Sequence, residues 1–140
     1  MNFWDSSAIV PLLVNEPDSV RRTESLMADT TLIVWWGSSI ECESAIQRRF
    51  RDGSLNSLGA RFAREQLSVL SSAWHELLPS APIRTLAIRL LRTHPLRAAD
   101  ALQLAAALFF AQESRSSVSF LTADSRLADA AEIEGICVLR

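Results

Sequence analysis

Apolar positions along the chain follow two rhythms. Short runs suited to strands, NFW near 2–4, TLIVWW near 31–36, SVSFLT near 117–122 and ICVL near 136–139, alternate with longer segments of helical character. Those segments are SSAIVPLLV, PDSVRRTESLMA, GSSIECESAIQRRFRDG, the stretch from Leu58 to Glu76, APIRTLAIRLLRT, AADALQLAAALFFAQ and DSRLADAAEIEG. A weaker strand pattern, HELLP, overlaps the end of the fourth. Gly53 and Gly135 fit helix C-caps, and Pro17 fits a helix start before an amphipathic run. Alternation of this kind predicts an α/β fold, because parallel strands need crossover helices that cover both sheet faces. The expectation is one domain over residues 1–140: a three-layer α/β/α sandwich around a mainly parallel sheet of four or five strands.

Composition supports a real core, with 49% hydrophobic and 21% charged residues. The longest apolar stretch, AADALQLAAALFFA, is short for a bilayer and carries Asp100, and no basic segment followed by an apolar stretch opens the chain. A cytoplasmic protein that does not enter a membrane is expected. Cys42 and Cys137 stand far apart without a CxxC, and His75 and His94 stand alone, which argues against a structural zinc or a disulfide framework. All 14 basic residues are Arg, so Schiff-base, Walker-A and kinase chemistry, which need a lysine, are excluded.

Four acids attract attention for different reasons. Asp5 ends the first strand-like run and Asp124 follows the third, and ligands of open parallel sheets bind beyond the carboxyl ends of strands. Each also suits a helix N-cap, a purely structural role worth about 1 kcal/mol. Asp100 opens a helix with no other ionisable residue between Arg97 and Glu113. A carboxylate there costs several kcal/mol unless an ion pair, hydrogen bonds or a metal compensate it. Glu41 follows the second strand-like run, with Ile40, Ala45 and Cys42 expected to mark an inward helical face and Glu43 to reach solvent. The bland alternative for Glu41 is a capping-box acid after Ser38.

The ordered blocks DSSAIV, SSIECESAIQRR, LRAADALQLAAAL and FLTADSRLADAA, ending in GICVL, resemble the PIN-domain ribonucleases, most closely the VapC-type toxins of toxin–antitoxin pairs. The resemblance spans essentially the whole chain and is loosest from Leu55 to Leu96. It places the family's acidic cluster on Asp5, Glu41, Asp100 and Asp124, and its hydroxyls on Ser6 and Thr122. Gln103 stands where relatives often have His. The resemblance implies Mg²⁺- or Mn²⁺-dependent endonucleolytic cleavage of RNA, leaving a 5′-phosphate and a 3′-hydroxyl. Asp5 and Asp124 are then the primary metal ligands, Asp100 and Glu41 complete the site or act through waters, and Ser6 and Thr122 position water or phosphate. A homodimer and a protein antitoxin lying across the groove are implied as partners, with the segments near 17–28 and 37–52 as groove walls.

The chemistry is consistent with that implication. Clustered carboxylates raise one another's pKa unless a cation neutralises them, and all-oxygen ligation favours Mg²⁺ or Mn²⁺ over zinc. Setting the four acids aside leaves 12 of the 16 acidic residues against 14 arginines, a mildly basic surround suited to phosphate. Trp35 and Trp36 continue the run TLIV and are expected in packing rather than base stacking. Two rival classes remain: a PIN-like module that binds RNA or protein without catalysis, and a phosphatase using Asp5 as nucleophile, which lacks its supporting lysine.

Overall fold

A computed structural model describes residues 1–140. In chain order the elements are β1 (Asn2–Trp4), α1 (Ser6–Leu13), α2 (Ser19–Ala28), β2 (Leu32–Trp35), α3 (Ser38–Arg51) and α4 (Ser57–Ala73). They continue with β3 (His75–Leu77), α5 (Ala81–Thr93), α6 (Ala98–Ser114), β4 (Ser119–Leu121), α7 (Ser125–Ile133) and β5 (Cys137–Leu139). The five strands form one sheet in the order β3-β2-β1-β4-β5, and every pairing is parallel. No helix is long and apolar enough to cross a membrane.

Each strand residue alternates between two apolar layers, as strand geometry requires. Trp4, Leu32, Val34 and Leu121 pack with α1, α3 and α4, while Phe3, Ile33, Trp35 and Phe120 pack with α5, α6 and α7. The helices therefore divide between the faces in two consecutive blocks. From β1 the chain moves outward through β2 to β3 on one face, then crosses back on the other to β4 and β5. This reversal puts the topological switch point between β1 and β4, where a doubly wound sheet opens a crevice at its carboxyl edge.

Three local expectations change in the structure. The fourth helix ends at Ala73, not Glu76, because His75–Leu77 pair with Ile33–Trp35 and become β3. Ile40 is 61% exposed, while Cys42, Ala45 and Ile46 form the buried stripe of α3; the inward face is one step out of phase with Ile40. Trp36 is exposed beyond β2, whereas Trp35 is buried in the core. Gly53 and Gly135 do adopt positive φ just past α3 and α7. Arg115, without the freedom of glycine, takes the left-handed cap of α6.

Candidate active site

Asp5 ends β1 and caps α1, and both positions serve its carboxylate. Its backbone N–H donates to the Leu121 carbonyl of β4 at 2.9 Å, which fixes it beside the neighbouring strand end. Oδ2 accepts from the Ser7 N–H at 3.3 Å, from the Ser7 hydroxyl, and from the Thr122 hydroxyl at 3.0 Å. Both hydroxyls are themselves held: Ser7 Oγ accepts from the Ala123 N–H at 2.9 Å and Thr122 Oγ1 from the Asp124 N–H at 3.1 Å. The two strand ends flanking the switch point are thereby laced together. Oδ1 takes no part in this lacing.

Asp124 caps α7, its Oδ1 accepting from the Leu127 N–H at 2.9 Å. Asp100 lies in the first turn of α6, after the N-cap residue Arg97. Ala101 and Gln103 to Ala107 are buried, so the carboxylate opens a helix whose buried side chains are apolar except for Gln103. Glu41 lies in the first turn of α3, but Ser38 gives it no capping box, since Gly37 occupies the cap position without a side-chain bond. Instead Glu41 Oε2 accepts from Gln103 Nε2 at 2.6 Å, and the same nitrogen donates to Ser38 Oγ at 3.0 Å. Gln103 is fully buried and its Oε1 has no partner. Gly37 allows the close approach of Trp35 here: a Cβ would meet the indole Nε1 at 2.7 Å.

Behind Thr122 lies a buried guanidinium. Arg22 is 1% exposed, its Nε donates to Asp18 Oδ2 at 2.7 Å and its Nη2 to the Thr122 carbonyl at 3.1 Å. Its Nη1 reaches the Leu139 carbonyl at 3.4 Å, so one side chain ties α2 to the ends of β4 and β5. Partial burial acts to raise the Asp18 carboxyl, but hydrogen bonds and charge from Arg22 and Arg21 outweigh it and hold the group below its ordinary value.

Electrostatics link the four acids. Burial pushes Asp5 above the usual carboxylate range; the Ser7 and Thr122 hydrogen bonds oppose this, and the charge of Asp100 adds to it. Glu41 is pushed up to about 7, first by burial and then by Asp5 and Asp100, against the bonds from Gln103 and Ser6. Asp100 is raised by burial and by Asp124, with Arg97 opposing. Like charges nearby thus add to burial in resisting the ionisation of Asp5, Glu41 and Asp100. The thiol of Cys42, pushed up to about 12 chiefly by burial, stays neutral among apolar neighbours.

Two adjoining clefts open on this cluster and share Arg48, Arg97, Asp100 and Ala123. One adds Asp124, Ser125 and Arg126, and the other adds Glu41, Ser6 and Ser7. Asp5, 3% exposed, sits behind Ser7. The fold therefore brings Asp5, Glu41, Asp100 and Asp124 to one edge of the sheet. Ser6 lies beside Glu41, and Thr122 beside Asp5. Ser7, Ser38 and Arg22 were not among the sequence candidates. Ser7 was legible only as a neighbour of Asp5, and nothing in the sequence brings Gln103 to Glu41.

No group of three or more His, Cys, Asp or Glu side chains is arranged to hold a metal ion as it stands. The donor set nevertheless fits a hard divalent cation, because it is all oxygen and mutually repulsive, and no arginine forms an ion pair with any of the four acids. Such an ion commonly keeps several waters and needs only one or two direct carboxylates.

Comparison with known proteins follows from this geometry. The PIN domain family matches over residues 3–133. Among solved structures the fold is similar to VapC20 of Mycobacterium tuberculosis, a toxin that cleaves the sarcin–ricin loop, with TM-score 0.71 and 17% identity over 100% of this chain and 99% of that one. It is similar to a toxin–antitoxin complex from Klebsiella pneumoniae, with TM-score 0.68 and 17% identity over 100% of this chain and 97% of that one. FitAcB from Neisseria gonorrhoeae gives TM-score 0.67 and 16% identity over 100% and 97% of the two chains. Among curated proteins nothing matches.

Proposed function

From the membership of this chain in the PIN domain family, we propose that it is a metal-dependent endoribonuclease, the toxin of a toxin–antitoxin pair. The observation that carries the reading is the gathering of Asp5, Glu41, Asp100 and Asp124 at the switch point of the sheet, a coupling in which Asp100 raises Asp5 and Glu41 and Asp124 raises Asp100. A purely structural role for Asp5 and Asp124 as caps leaves that coupling unexplained, since a cap gains nothing from like charges beside it. The similarity to VapC20 and to toxin–antitoxin complexes supports the toxin assignment and a protein antitoxin as partner; a homodimer is the assembly that we propose with it.

In this mechanism Asp5 and Asp124 would hold Mg²⁺ or Mn²⁺, with Asp100 and Glu41 completing the set directly or through water. When bound, the ion supplies charge stabilisation at the phosphoryl oxygens and a lowered pKa for water. The chain's own groups do the rest. Ser7 and Thr122 lock one oxygen of Asp5, so its carboxylate presents a fixed orientation without reorganising during the reaction. Gln103 restrains Glu41 in the same way; without a cation, burial and the neighbouring acids push this carboxyl up to about 7, and a bound ion would favour its charged form. In this reading Ser6, which lines the Glu41-side cleft, orients water or a phosphate oxygen, whereas Thr122, 1% exposed and bonded to Asp5, acts through that carboxylate. Hydrolysis of an RNA phosphodiester then leaves a 5′-phosphate and a 3′-hydroxyl.

The phosphatase alternative loses ground, because Ser7, two residues after Asp5, is spent on the Asp5 carboxylate rather than placed as a second acid. The test is cleavage of labelled RNA by purified protein with Mg²⁺, with Mn²⁺ and with a chelator, beside Asp5→Asn. Metal-dependent cutting that falls at least a hundredfold in the variant supports the proposal. Equal cutting by both rejects it, and RNA binding by both without any cutting makes the chain a binding module.

A further inference from the structure

Resting on the ribonuclease reading, we infer that Arg48, Arg97 and Arg126 form the grip on RNA, seating phosphates on either side of the one being cut. Each comes from an acid-bearing helix. On α3, Glu41, Ala45 and Arg48 follow one helical face at spacings of four and three, so turning Glu41 into the cleft turns Arg48 there as well. Arg97 is the cap residue of α6, three positions before Asp100, and Arg126 is the second residue of α7, two after Asp124. The cleft on the Asp124 side is lined by all three arginines, and the cleft on the Glu41 side by Arg48 and Arg97.

What separates these three from many of the other arginines is that they are uncommitted. Arg21 and Arg22 pair with Asp18, Arg49 with Glu16, Arg61 with Glu65, Arg89 with Glu134 and Arg140 with Asp129 and Glu132. Arg48, Arg97 and Arg126 are exposed, make no ion pair and donate no side-chain hydrogen bond, although carboxylates line the same clefts. Their planar forks are free for bidentate contacts with phosphate oxygens. Arg64, Arg84 and Arg92 are equally free and exposed but lie outside both clefts. A protein occupant is the weaker fit, since only one of the eight residues lining the Asp124-side cleft is hydrophobic, leaving no apolar anchor pocket.

The test measures binding of a labelled single-stranded RNA against salt concentration, in an Asp5→Asn background that suppresses cleavage. Each lost phosphate contact should flatten the slope of log affinity against log salt by about 0.7, so R48A/R97A/R126A flattens it by about 2. Between about 50 and 200 mM salt, the parent should then lose roughly 20-fold more affinity than the triple variant. R48K/R97K/R126K should recover the slope, and R64A/R84A/R92A, with the same change in net charge, should leave it unaltered. An unchanged slope in the first triple, or an equal flattening in the control, overturns the inference while the nuclease reading stands. No RNA binding by the parent overturns both.

Discussion

Helices α2 and α6 are opposites, each with one residue out of character. The α6 helix is apolar on nearly every face until its last turn and carries one acid, Asp100, among its first fifteen residues; α2 is largely exposed and polar, with Arg22 as its only buried residue. The fold holds α6 by apolar burial, and for α2 the buried anchor is a hydrogen-bonded guanidinium. Both exceptions lie by the candidate site. Asp100 brings charge to it, and Arg22 braces the Thr122 carbonyl whose residue orients Asp5. The contrast separates what stabilises the fold from what the site requires at the fold's expense.

If α6 is secured by burial, Leu104→Ala should cost the most, about 3–4 kcal/mol by denaturant unfolding, since Leu104 is fully buried. A loss under about 1 kcal/mol would mean that this core is loosely packed. Arg22→Met keeps much of the volume but strands the Thr122 carbonyl and removes the partner of Asp18. A loss of about 2 kcal/mol is expected by the same method. An unaltered midpoint would show that α2 is held some other way.

Asp100→Asn should act in the reverse direction. Its carboxyl is raised in the fold, so the charged form opposes folding above its ordinary pKa of about 4. In the presence of a chelator at neutral pH the variant should melt a few degrees higher than the parent. A lower melting temperature would show that the carboxylate contributes to the fold instead of straining it.

The smallest effect concerns Asp18, whose carboxyl is lowered in the folded state. Its stabilisation is present above the unfolded value near 4 and fades as pH falls through the folded one. Asp18→Asn should therefore lower the melting temperature at pH 7, and the gap to the parent should close toward pH 3. A gap independent of pH would assign the effect to shape rather than charge.

The same two helices show what the sequence can and cannot reveal. Asp100 was conspicuous because an acid on an apolar helix has no local explanation. Arg22 was hidden, since an arginine in an amphipathic run ordinarily reads as surface. Four strands and the crossover pattern follow from local periodicity, whereas β3 was blurred into the preceding helix because only its pairing with β2 distinguishes it. The four acids could be singled out from their positions at strand ends and helix starts. The hydroxyl and amide groups that orient them could not. Ser7 meets Thr122 and Gln103 meets Glu41 only after the sheet has aligned β1, β2 and β4.

Titration with Mn²⁺, followed by calorimetry and by the electron paramagnetic resonance of the free ion, tests most directly whether the four carboxylates act as one cation site. Saturable binding by the intact chain, lost in Asp5→Asn and in Asp124→Asn and weakened in Glu41→Gln, is the expected result. Absence of saturable binding, or binding indifferent to all three substitutions, would contradict the shared site and with it the proposed chemistry.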